Sequence, residues 1–129
     1  MSRCELRPSR LGSASIAQSY LFDPAFRAIV AQDLATGVHE NPTGDPRWFT
    51  TAYFHRPDEL AAEATEAGLV VLETVGVEGM GHWIKPLGSA FDDDDRRAVV
   101  LDAARVIEAE PSLLGLSPHL LTVAVRPAG

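Results

Sequence analysis

Apolar positions recur at helical spacing in three stretches of the chain and gather into strand-like runs in two more. Phe26, Ile29, Val30 and Leu34 form one stripe, the three-to-four-residue recurrence of an amphipathic helix. Asp23 precedes the stripe and Pro24 opens it. An aspartate caps the free N–H groups of a helix start, and proline has no N–H to leave unpaired there. Gly37 is placed to end the helix in a left-handed conformation. A second helix is predicted from Pro57, with Asp58 and Glu59 at the positive end of its dipole and Gly68 as its stop. Leu60, Ala61, Ala64 and Ala67 give it a modest apolar face. A third helix is predicted from about Asp93 to Glu108, with Val99, Val100, Ala103, Val106 and Ile107 on one face, until Pro111 breaks the pattern.

Residues 69–75 are β-branched and apolar on both faces, which predicts a buried strand of a covered sheet. Residues 119–125 predict a last strand, ended by Arg126 and Pro127. Towards the N-terminus, residues 6–12 read as a turn and the small residues 13–17 as a short strand. Residues 38–51 and 76–91 read as irregular connections. The order strand, helix, helix, strand, helix, strand predicts an α/β or α+β chain with a sheet of about three strands.

The chain has 129 residues, 46% hydrophobic and 22% charged, the size and composition of one domain. Eleven basic and eighteen acidic residues give a net charge of −7. That balance argues against nucleic acid and anionic membranes as partners, and no basic patch offsets it. Cys4 is the only cysteine, so no intrachain disulfide or thiolate metal cage can form. It is expected to be an inert thiol near a mobile terminus. Arg3, Arg7 and Arg10 give a basic start, but no apolar core of a signal peptide follows, and a cytoplasmic protein is expected. One lysine, Lys85, stands against ten arginines, a bias of GC-rich genomes.

Candidate chemistry thins out under inspection. His39, His55, His82 and His119 are far apart and no pair has the i, i+4 spacing of a helical zinc site, so no metal is expected. His119 reads as a strand boundary, and His55 as either a helix cap or a pocket residue. Residues 76–81 have the spacing G-x-x-G-x-G and no helix follows to receive phosphates, so a flexible loop over a pocket is expected. The run Asp92 to Asp95 suits a helix start better than calcium. Ser117-Pro118-His119 fits no triad, and no G-x-S-x-G is present. The segment 39–55 remains, with His39, Asn41, Thr43, Trp48, Tyr53 and His55 between two helices. It reads either as a packed aromatic loop that anchors the second helix or as the wall of a small-molecule site.

The stretches at 23–30, 41–44, 48–60, 73–79, 110–115 and 119–124, in that order, resemble the C-terminal half of a class I S-adenosylmethionine-dependent methyltransferase of actinobacterial type. The resemblance covers about residues 20–127 of a single domain at 1–129, and residues 1–20 match poorly. Leu6-Arg7-Pro8 resembles the family's L-x-P-G-G turn, with Ser9 and Arg10 where glycines are expected.

The resemblance implies a partial Rossmann-like fold with three main helices and about three strands, the last strand antiparallel and between the other two. It implies substrate-binding roles for His39, Asn41, Tyr53, His55, Glu78 and Trp83, with no catalytic residue assigned. It also implies that S-adenosylmethionine is held by an N-terminal half that this sequence lacks. Activity of the chain alone is expected to be weak or absent. The expected partners are a small-molecule methyl acceptor and either a second copy or a separate N-terminal half. The alternative is a non-enzymatic ligand-binding or interaction module that pairs through exposed sheet edges.

Overall fold

The computed structural model describes residues 2–10, 20, 22–84 and 87–128. The chain is mixed α/β. The elements are β1 (Ser2–Pro8), α1 (Pro24–Thr36), β2 (Val38–His39), β3 (Ala52–Tyr53), α2 (Pro57–Glu66), β4 (Val70–Gly76), α3 (Leu87–Phe91), α4 (Asp94–Ile107) and β5 (His119–Val125).

The main sheet has the order β1-β5-β4, and β5 is antiparallel to both neighbours. The last strand is therefore central and antiparallel, as expected, with β4 on one side as expected and residues 2–8 on the other. The first strand differs from the expectation. Residues 2–8 form it, and residues 6–8 end it rather than making a turn. The signal was the alternation of Arg3, Glu5 and Arg7 with Ser2, Cys4, Leu6 and Pro8, a strand period carried by charge rather than by apolar residues. Cys4 sits inside this strand, exposed and free. The strand expected at residues 13–17 lies outside the described residues.

Helix α1 begins and ends as its sequence predicts. The Asp23 carboxylate accepts from the Ala25 and Phe26 N–H groups, and Gly37 adopts φ 78°. On α2, Glu59 accepts from the Arg56 backbone N–H at 2.9 Å, closing the first turn. Helix α2 packs on β4 and β5, and Leu60 and Ala64 are buried there with Leu120, Thr122 and Ala124 of β5. Alternate residues of β5 are thus buried on the α2 side, while His119, Leu121, Val123 and Val125 are half-buried on the other.

Two expectations of burial fail. Strand β4 is an edge strand with a bulge at Leu72, and Val70 and Leu72 are exposed although α2 and the 3-10 turn at Leu114–Leu116 pack on the strand. Helix α4 buries none of its residues; Val99 and Val106 are 70% and 81% exposed. Its Ile107 end meets the turn at Gly79, and the helix otherwise leans on α3, so most of its stripe faces no part of the described chain. The two connections are also more ordered than predicted. Strands β2 and β3 pair antiparallel across the first, and 3-10 turns form at Pro46–Trp48 and Gly79–Trp83. No helix among the described residues is long and apolar enough to cross a membrane.

Candidate functional site

A second apolar focus forms away from the sheet. Phe26 and Ile29 of α1 pack with Trp48, and Tyr20 and Val30 join them. The rings of Tyr20, Phe26 and Trp48 meet at tilted or edge-on angles with centroids 5.2–6.3 Å apart, the geometry that aromatic quadrupoles prefer. Beside this cluster lies a cavity of about 290 Å³, walled by these rings with Phe49, Phe54 and His119 and including Asp33 and His39.

Backbone pairing holds the cavity's walls in place. Gly37 ends α1 and its carbonyl accepts from the Phe54 N–H at 2.7 Å. His39 then follows on β2, paired with Ala52. His55 donates its N–H to the Pro8 carbonyl, and Ser9 donates to the Pro118 carbonyl, each at 2.8 Å. The ends of β1, β3 and β5 are thereby drawn to one place, which brings Phe54 and His119 to the same cavity.

Asp33 and His39 form a buried unit. His39 Nδ1 is 2.9 Å from Asp33 Oδ2, and Nε2 is 2.8 Å from the Trp48 carbonyl oxygen. A carbonyl only accepts, so Nε2 carries a hydrogen. The contact between Nδ1 and Oδ2 needs a proton on one of the two atoms, since two lone pairs would repel at that distance. Burial pushes the Asp33 carboxyl above its ordinary value, while the hydrogen bond and charge of His39 pull it back in part.

A second histidine–carboxylate pair stands at the cavity wall. Glu78 Oε1 is 2.5 Å from His119 Nδ1, while Oε2 accepts from the His119 backbone N–H at 3.0 Å and from Ser117 Oγ at 3.1 Å. The fully buried Ser117 Oγ in turn accepts from the Glu78 and Gly79 N–H groups. With Nδ1 donating to the carboxylate, His119 keeps its basic lone pair on Nε2, the arrangement of an oriented general base.

Two buried polar atoms on cavity residues have no hydrogen-bond partner: Asp33 Oδ1 and Trp48 Nε1. Buried donors and acceptors are nearly always paired, so each such atom calls for an explanation. His55 Nδ1 is a third, away from the cavity.

Of the residues singled out from the sequence, His39 lines the cavity and Glu78 reaches it through His119. The other four do not line it. Asn41 braces its own loop, with Nδ2 donating to the Asp45 and Phe49 carbonyls and Oδ1 accepting from Thr43. Tyr53 and Arg10 join at Glu59, and His55 pairs with Glu63 at 3.2 Å. Trp83 sits in the 3-10 turn after β4, 40% exposed.

Sequence reasoning passed over Asp33 and the role of His119. Asp33 carried a usable signal, since it lies four residues after Ile29 and seven after Phe26, a carboxylate on the apolar stripe. No three histidine, cysteine or carboxylate side chains among the described residues could together hold a metal.

No protein-family model matches the chain, and no curated protein matches it.

Proposed function

We propose that this chain is the substrate side of an S-adenosylmethionine-dependent methyltransferase-like, Rossmann-like domain, and that its cavity receives a small-molecule methyl acceptor. The observation that carries the reading is the His119–Glu78 pair at an aromatic cavity, with Nε2 of His119 left as the base. The final strand is central and antiparallel, as the family resemblance implies, although the outer strand beside it is Ser2–Pro8 rather than the one expected after the turn at residues 6–8.

The residues fit the acceptor and not the methyl donor. A sulfonium amino acid needs partners for its ammonium, its carboxylate and its ribose hydroxyls. The cavity offers the mutually bonded Asp33–His39 pair and aromatic walls instead. The donor is therefore held by residues outside those described, and its contribution when bound is an electrophilic methyl group. The chain's own contribution is to enclose the acceptor, exclude water from it and take its proton on His119 Nε2. A cytoplasmic location goes with this reading.

Calorimetric titration tests it. We expect heat from small aromatic acceptors and none from S-adenosylmethionine with the chain alone. Micromolar binding of S-adenosylmethionine would overturn the assignment of the cofactor site to other residues. Absence of acceptor binding would overturn the reading of the cavity.

A second reading has its own observation. The exposed stripe of α4, with Val99 and Val106 outward, and the free edge of β4 together fit an interaction module. The cover is either a second copy or a separately encoded N-terminal half of the same domain. Light scattering separates the two, since a dimer that Val106→Lys dissociates is self-association, whereas a stable monomer leaves the heterologous half.

A further inference from the structure

The two outer strands of the main sheet, β1 and β4, differ in how their edges are protected. Strand β4 is blunted, because its register slips at a bulge between Val71 and Glu73 and Glu108 accepts from the Gly76 N–H at its far end. Bulges and covered ends are the usual protection of an edge. Strand β1 runs in unbroken register against β5 from Ser2 to Pro8.

In an antiparallel pair each residue sends its N–H and C=O to the same side, and successive residues alternate. Ser9 donates its N–H to Pro118 on the β5 side, so the backbone groups of Arg7, Glu5 and Arg3 also face β5. Those of Pro8, Leu6, Cys4 and Ser2 face the outer edge, where the Pro8 carbonyl accepts from the His55 N–H. Among the described residues, His55 closes this edge at Pro8 and none pairs with the outward backbone groups of Ser2, Cys4 and Leu6. Cys4 is exposed, and Leu6 is 52% exposed.

We propose that this edge pairs with the same edge of a second copy, antiparallel about a two-fold axis at Cys4, and joins the two sheets into one. In that register Cys4 meets Cys4 and Ser2 meets Leu6 as hydrogen-bonded pairs, so the outward N–H and C=O groups from Ser2 to Leu6 all find partners. Between them Arg3 of one copy stands opposite Glu5 of the other, twice by symmetry. Opposite charges facing across strands stabilise a pairing, and like charges oppose it. The next registers that keep the hydrogen bonds are both penalised. Slipping two residues one way sets Glu5 against Glu5 and Arg3 against Arg7, and slipping the other way sets Arg3 against Arg3. The charges of β1 thus favour one register with a second copy. The pairing stops short of Pro8, where His55 already sits. It is independent of the reading of the cavity and of the exposed stripe on α4.

The interface is short, and short interfaces bind weakly, so the test is sedimentation equilibrium at millimolar concentration. We expect the parent chain to reach twice the monomer mass. Glu5→Arg sets Arg3 against arginine at both symmetric positions and should weaken the dimer about tenfold. Combining Arg3→Glu with Glu5→Arg restores the match and should restore the dimer. Leu6→Pro removes an outward N–H, which an edge strand tolerates, and should dissociate the dimer with circular dichroism unchanged. Glu5→Pro removes an N–H that serves β5 and should lower the thermal midpoint instead. Hydrogen-bonded partners have Cα atoms about 5.5 Å apart, within reach of a disulfide. Mild oxidation should therefore link Cys4 to Cys4 several times faster in the parent chain and the double variant than in Glu5→Arg.

A parent chain that stays monomeric at that concentration would overturn the proposal. So would a dimer that Glu5→Arg and Leu6→Pro leave intact, or one that Val106→Lys dissociates, since its contact then lies on α4. Failure of the double variant to recover the dimer would overturn the register.

Discussion

Glu78 Oε1 lies 2.5 Å from His119 Nδ1, although 41 residues separate them along the chain. The contact ties the loop after β4 to the first residue of β5. The same carboxylate also accepts from Ser117 Oγ and the His119 N–H. Glutamine in its place has one acceptor oxygen, and its NH2 group would face donors. Glu78→Gln should therefore lose about 1–3 kcal/mol of stability, measured by urea denaturation. It should also lower any proton-abstracting activity of the site, because His119 loses the group that fixes its tautomer. An unchanged urea midpoint would mean that the pair contributes nothing in solution.

Stability should also depend on pH through Asp33. Its folded-state value is raised above the ordinary 3.8 by burial. Between 3.8 and that raised value the folded chain keeps a proton that the unfolded chain has released. The Asp33 contribution is therefore fully present below 3.8 and is lost as pH rises through the folded value. Asp45 works in the opposite sense. Arg47 holds it down to about 2, so its contribution is present above 3.8 and is lost as pH falls through about 2. The comparison with Asp33→Asn isolates the buried group, because asparagine keeps a hydrogen bond to His39 without a charge. Thermal midpoints from about pH 3 to 6 should show the variant gaining on the parent chain as pH rises. A constant difference across that range would refute the burial argument.

Much of the fold could be read from residue order. The caps at Asp23 and Gly37 and the last strand are local signals, and local signals survive folding. What could not be read depends on pairing between distant residues. Strand β1 carries its period in charges, so no apolar run announced it. The exposure of β4 and α4 reflects what lies beside them, which an apolar pattern does not state. The site was half legible. The aromatic segment 39–55 pointed to the wall of the cavity, but Asn41, Tyr53 and His55 turned out to be spent on bracing it. His119 looked like a strand boundary because its partner Glu78 sits in another loop.

Arg10 offers a test of how the cavity's outer wall is built. It is 5% exposed, and its guanidinium reaches both Glu59 carboxylate oxygens at 2.8 and 2.9 Å and the Phe54 carbonyl at 3.2 Å. Removing one member of a buried ion pair is costly because the other is left unmatched. Glu59 keeps 30% side-chain exposure, so water offsets part of that loss. Arg10→Met should cost about 2–3 kcal/mol. Arg10→Lys should recover only part of it, since a single ammonium cannot replace the guanidinium fork. Chemical denaturation of both variants checks this, and equal stability of Met and Lys would show that charge plays no part.

Phe49 lies on the cavity wall in a backbone conformation that L-residues rarely hold, with φ 65° and ψ −167°. That region belongs almost wholly to glycine and costs another residue about 1–3 kcal/mol. The ring is 60% exposed, so burial returns little of that cost to the folded state. Asn41 Nδ2 donating to the Phe49 carbonyl at 3.0 Å helps to hold the turn. Glycine at this position relieves the strain but loosens the unfolded chain by about 0.5–1 kcal/mol. Phe49→Gly should therefore stabilise the protein by about 1 kcal/mol, a rise of roughly 3–5 °C in the thermal midpoint. Phe49→Ala keeps the strained φ and should show no gain. Both variants remove a ring from the cavity wall and should bind a small aromatic acceptor more weakly than the parent chain. That pairing of higher stability with weaker binding is the mark of strain kept for a site. If glycine and alanine give the same midpoint, the conformation is unstrained and the argument for Phe49 as a held cavity wall fails.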